Sequence, residues 1–582
     1  MTWHAGPLQW IAVGATVVLA AGIGLVAGVF LLSPRSAGLG PAAAYVPANA
    51  AFYVEWRAIP SETQDAALRE TLARFPIPGF EADRPLVDQL TEMLDEELAS
   101  DGLDVSWSED VAPWFDGRVA IAITDTAALN APTDPMEEPT DPTHEQSDLP
   151  SGVLLLVGVG DQDTAQAAVE RLIDASGASA PTSTEHGGVT IWTLADEEAR
   201  GSYAITSDAL VVGGSVEDVA AAIDRRDDGS GGLDANQEIG RLTAALPQDW
   251  LLLAVANGEA MLAQAGADLE EQAPEMAALF ELMGDQALTS VTAISASEDR
   301  INVDAASTAP SGDFAVENSE RGLAGQVPAD ALFFADGGNV GPPLARFVEA
   351  LRAAVGDAPE VSEGVEQLEA ALGAELHELV AWIDDAAAVG GWDGEQPYGG
   401  LILIPSEAGE ARRRIDSLLT VARVATLDPS SGIAISEETV SGTTVTTIGF
   451  EIPGVGLDSG AFAPRLALQV AVGDARVVIG FGDRFVRTAL ELDAAESLGA
   501  DDRYTSTISE LGGEENVATA WVDLAGIREA VEGALGGAGM LEGGVFDYEA
   551  DVQPWLLPLD RMASVSRLEG DLLIQHAVLV VE

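Results

Sequence analysis

Val46-Pro47-Ala48-Asn49-Ala50-Ala51-Phe52-Tyr53-Val54-Glu55-Trp56 is restated far downstream as Val327-Pro328-Ala329-Asp330-Ala331-Leu332-Phe333-Phe334-Ala335-Asp336. Each copy opens a unit with a strand, and the segments behind the two copies correspond as well. Two helices follow each opening strand: 61–75 and 85–98 in the first unit, 343–355 and 361–379 in the second. Both pairs lead to an aromatic landmark, Val111-Ala112-Pro113-Trp114-Phe115-Asp116 and Leu379-Val380-Ala381-Trp382-Ile383-Asp384.

The clearest correspondence comes after the landmark. Gly152-Val153-Leu154-Leu155-Leu156-Val157 reads as a buried strand, leading to a helix with Ala165, Ala168, Val169, Leu172 and Ile173 on one face. Gly400-Leu401-Ile402-Leu403-Ile404 leads likewise to Ala411, Ile415, Leu418 and Leu419. One spacing separates Ala165 from Ala411 and Val169 from Ile415, so the register holds through a whole helix. Hairpins at 187–192 and 441–448, strands at 203–214 and 468–480, and closing hairpins at 288–305 and 562–581 continue the pattern.

The predicted fold class is α+β: an N-terminal transmembrane helix, then two tandem, internally homologous repeats, each a largely antiparallel sheet with helices on one face. The expected boundaries are a tail at 1–9, a membrane helix at 10–32, a linker at 33–45, a first repeat at 46–308, a linker at 309–326 and a second repeat at 327–582. The first repeat carries an acidic, Pro-rich insertion at 125–150 that reads as disordered by composition. The membrane helix rests on Trp10 to Leu32, an uncharged run long enough for a hydrocarbon core of about 30 Å. Only His4 and the amino terminus precede it, unlike the positive start of a signal peptide. Arg35 behind the run argues weakly for a cytoplasmic body, whereas a lone N-terminal anchor ahead of a large body is an export arrangement. The expected location is a single-pass position in the cell membrane with the body outside the cytoplasm.

Composition narrows the function classes. The chain has 582 residues, 47% of them hydrophobic, which suffices for more than one core. Against 96 acidic residues stand 27 basic ones, all Arg, for a formal charge of -69. A field of that sign repels polyanions, so nucleic acid is excluded as a partner. The acids are spread along the chain, which favours a proteome-wide bias over a calcium-loaded surface or an interaction tail. Cysteine is absent, which removes disulfides, thiol nucleophiles and thiolate zinc sites.

Motifs for chemistry are weak. Gly158-Val159-Gly160 sits between strand and helix like a phosphate loop, but Asp161 and Asp163 would repel a pyrophosphate. The second unit has Pro405-Ser406 there, and Gly480-Phe481-Gly482-Asp483 fails for the same reason. His4, His144, His186, His377 and His576 are scattered, and none recurs in the other unit. Asp224 to Asp234 lacks the alternation of a calcium loop. Trp114 and Trp382 read as core anchors, and Gly533 to Gly544 as a flap or a plain loop. No catalytic, cofactor-binding or metal residue is assigned.

The Val-Pro-Ala-x-Ala phrase behind a single N-terminal helix, Gln64-Asp65-Ala66-Ala67-Leu68-Arg69 leading to Leu72-Ala73-Arg74-Phe75-Pro76, and Trp521-Val522-Asp523-Leu524 resemble a bacterial envelope family, common in actinobacteria, known as domain of unknown function 3352. The resemblance implies a membrane-anchored body at the cell envelope and no established activity, so it transfers no functional residue. The expected function is a non-enzymatic binding or scaffolding module with an unidentified protein or apolar-ligand partner, held to the membrane by its N-terminal helix. The alternatives are an extracytoplasmic carrier or sensor of an apolar ligand and a hydrolase without a recognisable motif.

Overall fold

The computed structural model describes residues 38–582 apart from 101–104, 126–149, 177–179, 196–199, 262, 264–288, 356–358, 395, 428–432, 451–466, 483 and 538–547. The strands fall into two compact units, the first closing at Thr308 and the second taking the chain from Ala309 onward.

The first unit contains β1 (Phe52–Arg57), β2 (Phe115–Ile123), β3 (Val153–Val159), β4 (Thr182–His186), β5 (Val189–Ala195), β6 (Arg200–Ile205), β7 (Ala209–Gly213), β8 (Leu252–Asn257), β9 (Thr289–Ser297) and β10 (Arg300–Thr308). Their order across the sheet is β4-β5-β6-β7-β3-β2-β1-β8-β9-β10, with every neighbour antiparallel. The opening strand β1 is therefore central, held between β2 and β8.

The second unit begins with β11 (Ser319–Glu320) and continues with β12 (Ala331–Gly337), β13 (Ile383–Trp392), β14 (Pro397–Pro405), β15 (Ile433–Val440), β16 (Thr443–Phe450), β17 (Ala467–Val472), β18 (Val477–Phe481), β19 (Glu515–Asn516), β20 (Ala518–Asp523), β21 (Leu559–Glu569) and β22 (Leu572–Val581). Here the order is β15-β16-β17-β18-β14-β13-β12-β20-β21-β22, again antiparallel throughout. β11 and β19 pair with each other in a small separate sheet.

Two expectations about the fold class are corrected.

First, helices cover both faces. In the first unit Leu155 and Val159 pack with Ala165, Ala168, Val169 and Ile173 of the helix Gln162–Ser176. Leu154, on the opposite face, lies near Val219 of the helix Val216–Asp228 around Gly213. In the second unit Leu403 packs with Ala411, Ile415 and Leu419 of the helix Ala408–Ala425. Ile402 packs with Phe485, Val486 and Ala489, and with Tyr504 and Ile508 of Asp502–Glu510. Unbroken apolar runs such as Val153 to Val157 are the signature of strands buried on both faces.

Second, no helix among the described residues is long and apolar enough to cross a membrane. The expected span, Trp10 to Leu32, lies outside the described residues, so the single-pass, membrane-anchored architecture has no support in the structure. The insertion expected at 125–150 also falls almost wholly outside them. Pro41–Tyr45, expected as linker, forms a 3-10 helix whose Ala43 and Tyr45 are buried. The helix expected over 361–379 stops at Leu372, because Gly373 adopts a left-handed φ of 66° and its N–H closes on the Glu369 carbonyl.

The repeated Val-Pro-Ala phrase is clasped alike in each unit. Leu233 N–H donates to the Val46 carbonyl at 2.8 Å and Ala48 N–H to the Gly231 carbonyl at 3.1 Å. Leu498 N–H donates to the Val327 carbonyl at 2.8 Å and Ala329 N–H to the Glu496 carbonyl at 3.1 Å. The proline between the bonded residues has no N–H to leave unpaired.

Glycine sets the spacing of β14 against β18. A Cβ on Gly400 would lie 2.0 Å from the Ile479 carbonyl oxygen and 2.7 Å from Gly480 Cα. Backbone cannot rotate away as a side chain can, so Gly400→Ala should destabilise the second unit by about 3 kcal/mol. An unchanged denaturant midpoint would show that the two strands separate more readily than this packing allows.

Candidate functional site

A perturbed acid of the first unit is Glu55, on the central strand β1 opposite Ala120 of β2 and Leu253 of β8. It is fully buried. Its Oε2 accepts hydrogen bonds from Gly40 N–H at 2.8 Å and the Tyr53 hydroxyl at 2.7 Å. Its Oε1 has no hydrogen-bond partner. Burial raises the Glu55 carboxyl above its usual range, against the two hydrogen bonds and the nearby Arg118 and Arg57. The Tyr53 hydroxyl is pushed up by burial and then by Glu55 itself.

Glu55 borders a small cleft with Pro41, Ala42, Asp116, Arg118, Gly158 and Asp208. Arg118 donates to Asp116 Oδ2 through Nη2 at 2.8 Å and Nε at 3.2 Å. Asp208 Oδ1 accepts from the Tyr45 hydroxyl at 2.6 Å and from Arg226 Nη2 at 3.1 Å. The space open to a water centre is about 10 Å³, the lower limit for one ordered water. Gly158, the first glycine of the apparent phosphate loop, is explained here: a Cβ would fall 1.8 Å from Asp116 Oδ1.

Asp336 is the second unit's counterpart, standing as Glu55 does on the ninth residue after the valine of Val-Pro-Ala. It lies on β12 opposite Ala387 of β13 and Thr519 of β20. Oδ1 accepts from Thr519 N–H at 3.2 Å, and the buried Oδ2 has no partner. Burial pushes the carboxyl up to about 6, opposed by Arg321 and the Thr519 bond. Arg321 is itself paired with Asp385 at 3.1 Å. Phe334 replaces Tyr53, so no hydroxyl reaches Asp336 from its own strand; Phe334 packs edge-on against Tyr504, and Tyr504 against Trp521.

The groups singled out in the sequence do not converge on either acid. Asp161 caps the helix after β3, accepting from Thr164 N–H at 2.8 Å, and Gly160 N–H donates to the Trp114 carbonyl at 2.7 Å. His186 Nε2 lies 2.7 Å from Asp224 Oδ1; His377 lies 3.4 Å from Glu375; His576 is in β22, opposite Val565. His4 and His144 lie outside the described residues. Within Asp224 to Asp234, Asp227 pairs with Arg226 and Gly229 caps a helix. No group of acids and histidines suited to a metal ion is present among the described residues. Trp114 and Trp382 are both buried, with Nε1 donating to the Asp110 and Leu379 carbonyls. Of Gly533 to Gly544, the part through Gly537 is helical, and the rest lies outside the described residues.

Sequence reading missed Glu55 and Asp336, although the signal was present in the opening phrases: one acid at the same place in each otherwise apolar strand. Tyr53→Phe removes a donor from a buried carboxyl group and should cost about 1–3 kcal/mol in unfolding free energy. A denaturant midpoint equal to that of the wild type would mean that this hydrogen bond contributes nothing to the fold.

Comparison with known proteins adds a family and little else. Three crystal forms of TP0453 show a distant likeness. Form I has 10% identity over 45% of this chain and 80% of that one, with a TM-score of 0.21. Form IV has 12% identity over 45% and 94%, also at 0.21, and form III has 13% over 44% and 93%, at 0.20. Likeness at that level carries no argument. No curated protein matches the chain. The family model "Protein of unknown function (DUF3352)" matches residues 12–448, most of the chain. The chain thus belongs to the DUF3352 family of proteins of unknown function.

Proposed function

We propose that this protein is a non-enzymatic binding or scaffolding module. The observation that supports the reading is how the polar groups around Glu55 are used. Asp116 and Arg118 neutralise each other, Asp208 is shared by Tyr45 and Arg226, and the remaining room suits about one water. A shifted carboxyl in a cleft is a recognised mark of catalysis, but a general acid must reach a substrate atom, and this one faces the interior of a sheet. The cleft is also far below the roughly 300 Å³ of a small-molecule pocket, which removes support for an apolar-ligand carrier at this place.

We also place the body outside the cytoplasm. The reading draws on the sequence, in which an uncharged run from Trp10 to Leu32 precedes a large body as in an export arrangement, and does not depend on a membrane-spanning helix. External protease applied to intact cells should digest the body; full protection would overturn the placement.

Screening the purified full chain against ester, peptide, phosphate and glycoside substrates should give no turnover above the buffer rate. Turnover that disappears in Glu55→Gln, with the variant still folded, would replace the binding-module reading with an enzymatic one.

A further inference from the structure

Glu55 and Asp336 share four features that do not depend on one another. Each occupies the same place in a central strand. Each is buried, Glu55 at 0% exposure and Asp336 at 6%. Each has one oxygen accepting from protein donors and one without a partner. In each unit the neighbouring arginine is committed to a different acid, Arg118 to Asp116 and Arg321 to Asp385. Neither buried acid has an ion-pair partner among the described residues. An ionised carboxylate so placed is disfavoured, and the neutral form is the one the interior accommodates.

We propose that Glu55 and Asp336 are matched proton-binding positions, one in each unit, whose protonation stabilises the folded chain and whose ionisation loosens the central strand that carries them.

The charged and titratable groups around each acid are consistent with this. Glu55 is faced by Tyr53 and Arg57 of its own strand, by Asp116 and Arg118 at the start of β2, and by Asp208 across the cleft. Asp336 is faced by Arg321, by Asp385 of β13 and by Tyr504 from the helix Asp502–Glu510, with Glu514 also acting on Tyr504. In both places burial outweighs the arginine, because the arginine's charge is already balanced.

The sign follows from linkage. Each acid holds its proton more tightly in the folded state than in the unfolded chain, so the folded state gains stability from it at low pH. That stability is fully present below the ordinary carboxylate range. It is lost as pH rises through the raised value, a window that for Asp336 runs from 3.8 to about 6. A shift of about two units corresponds to about a hundredfold change in the folding equilibrium. The surface charge of -69 adds a trend of the same sign through self-repulsion. Salt screens that surface component and leaves buried groups little affected.

The test is denaturant unfolding of the full chain in about 1 M salt, at about pH 5 and about pH 8, for wild type, Glu55→Gln and Asp336→Asn. The wild type should lose more stability across the interval than either variant, and Asp336→Asn should recover about a hundredfold in the folding equilibrium at the upper pH. Parallel pH profiles for wild type and both variants would overturn the proposal. Should an amide variant fail to fold, potentiometric proton uptake on refolding of the wild type near pH 5 decides instead: net uptake supports the proposal, and none overturns it.

Discussion

A carboxyl group without a counter-ion, set in the central strand of each unit, constrains everything packed around it. Glu55 requires Gly40 at its side, since a Cβ there would fall 2.0 Å from Oε1. It also requires the Tyr53 hydroxyl on the same face of the same strand, which fixes how β1 meets its surroundings. Asp336 relies instead on the Thr519 backbone and on the pairing of Arg321 with Asp385. Two strands that open on the same phrase thus meet the same problem, a buried acid, with different donors. Alternation along the strand explains why the acids are inside: Tyr53 and Glu55 share a face in β1, as Phe334 and Asp336 do in β12, and those faces are covered by helices.

The architecture was legible wherever apolar residues follow a strict period. The Val-Pro-Ala phrases marked the central strands, and the continuous runs before Ala165 and Ala411 marked strands in the middle of the order. Trp114 and Trp382 were legible as anchors, because a large ring recurring at matched places has a packing explanation. Helix coverage was not legible. The run Leu154 to Leu156 is as apolar on one face as on the other, and only contacts with Val219 on one side and Ile173 on the other show that both are covered.

Charge was the main obstacle to reading the site. With 96 acidic residues, one acid in a strand attracts no notice, and pairs of carboxylates carry no information without coordinates. The structure separates Glu55 and Asp336 from the rest by burial and by their unpartnered oxygens. Other acids serve ordinary roles: Asp161 caps a helix, Asp65 pairs with Arg69 one turn away, and Asp523 and Asp560 share Arg503. The glycines of the apparent phosphate loop likewise became intelligible only when Asp116 was found to occupy the space beside Gly158.

The binding-module reading and the inference about protons share one premise, that the buried acids belong to the interior and exchange nothing with a substrate. The most direct test is the infrared carboxyl spectrum of the folded full chain near pH 6, where exposed acids are ionised. A band from protonated carboxyl groups that weakens in the folded Glu55→Gln and Asp336→Asn variants is the result expected. A spectrum showing only carboxylate would mean that both acids are charged in the fold, and would contradict the account.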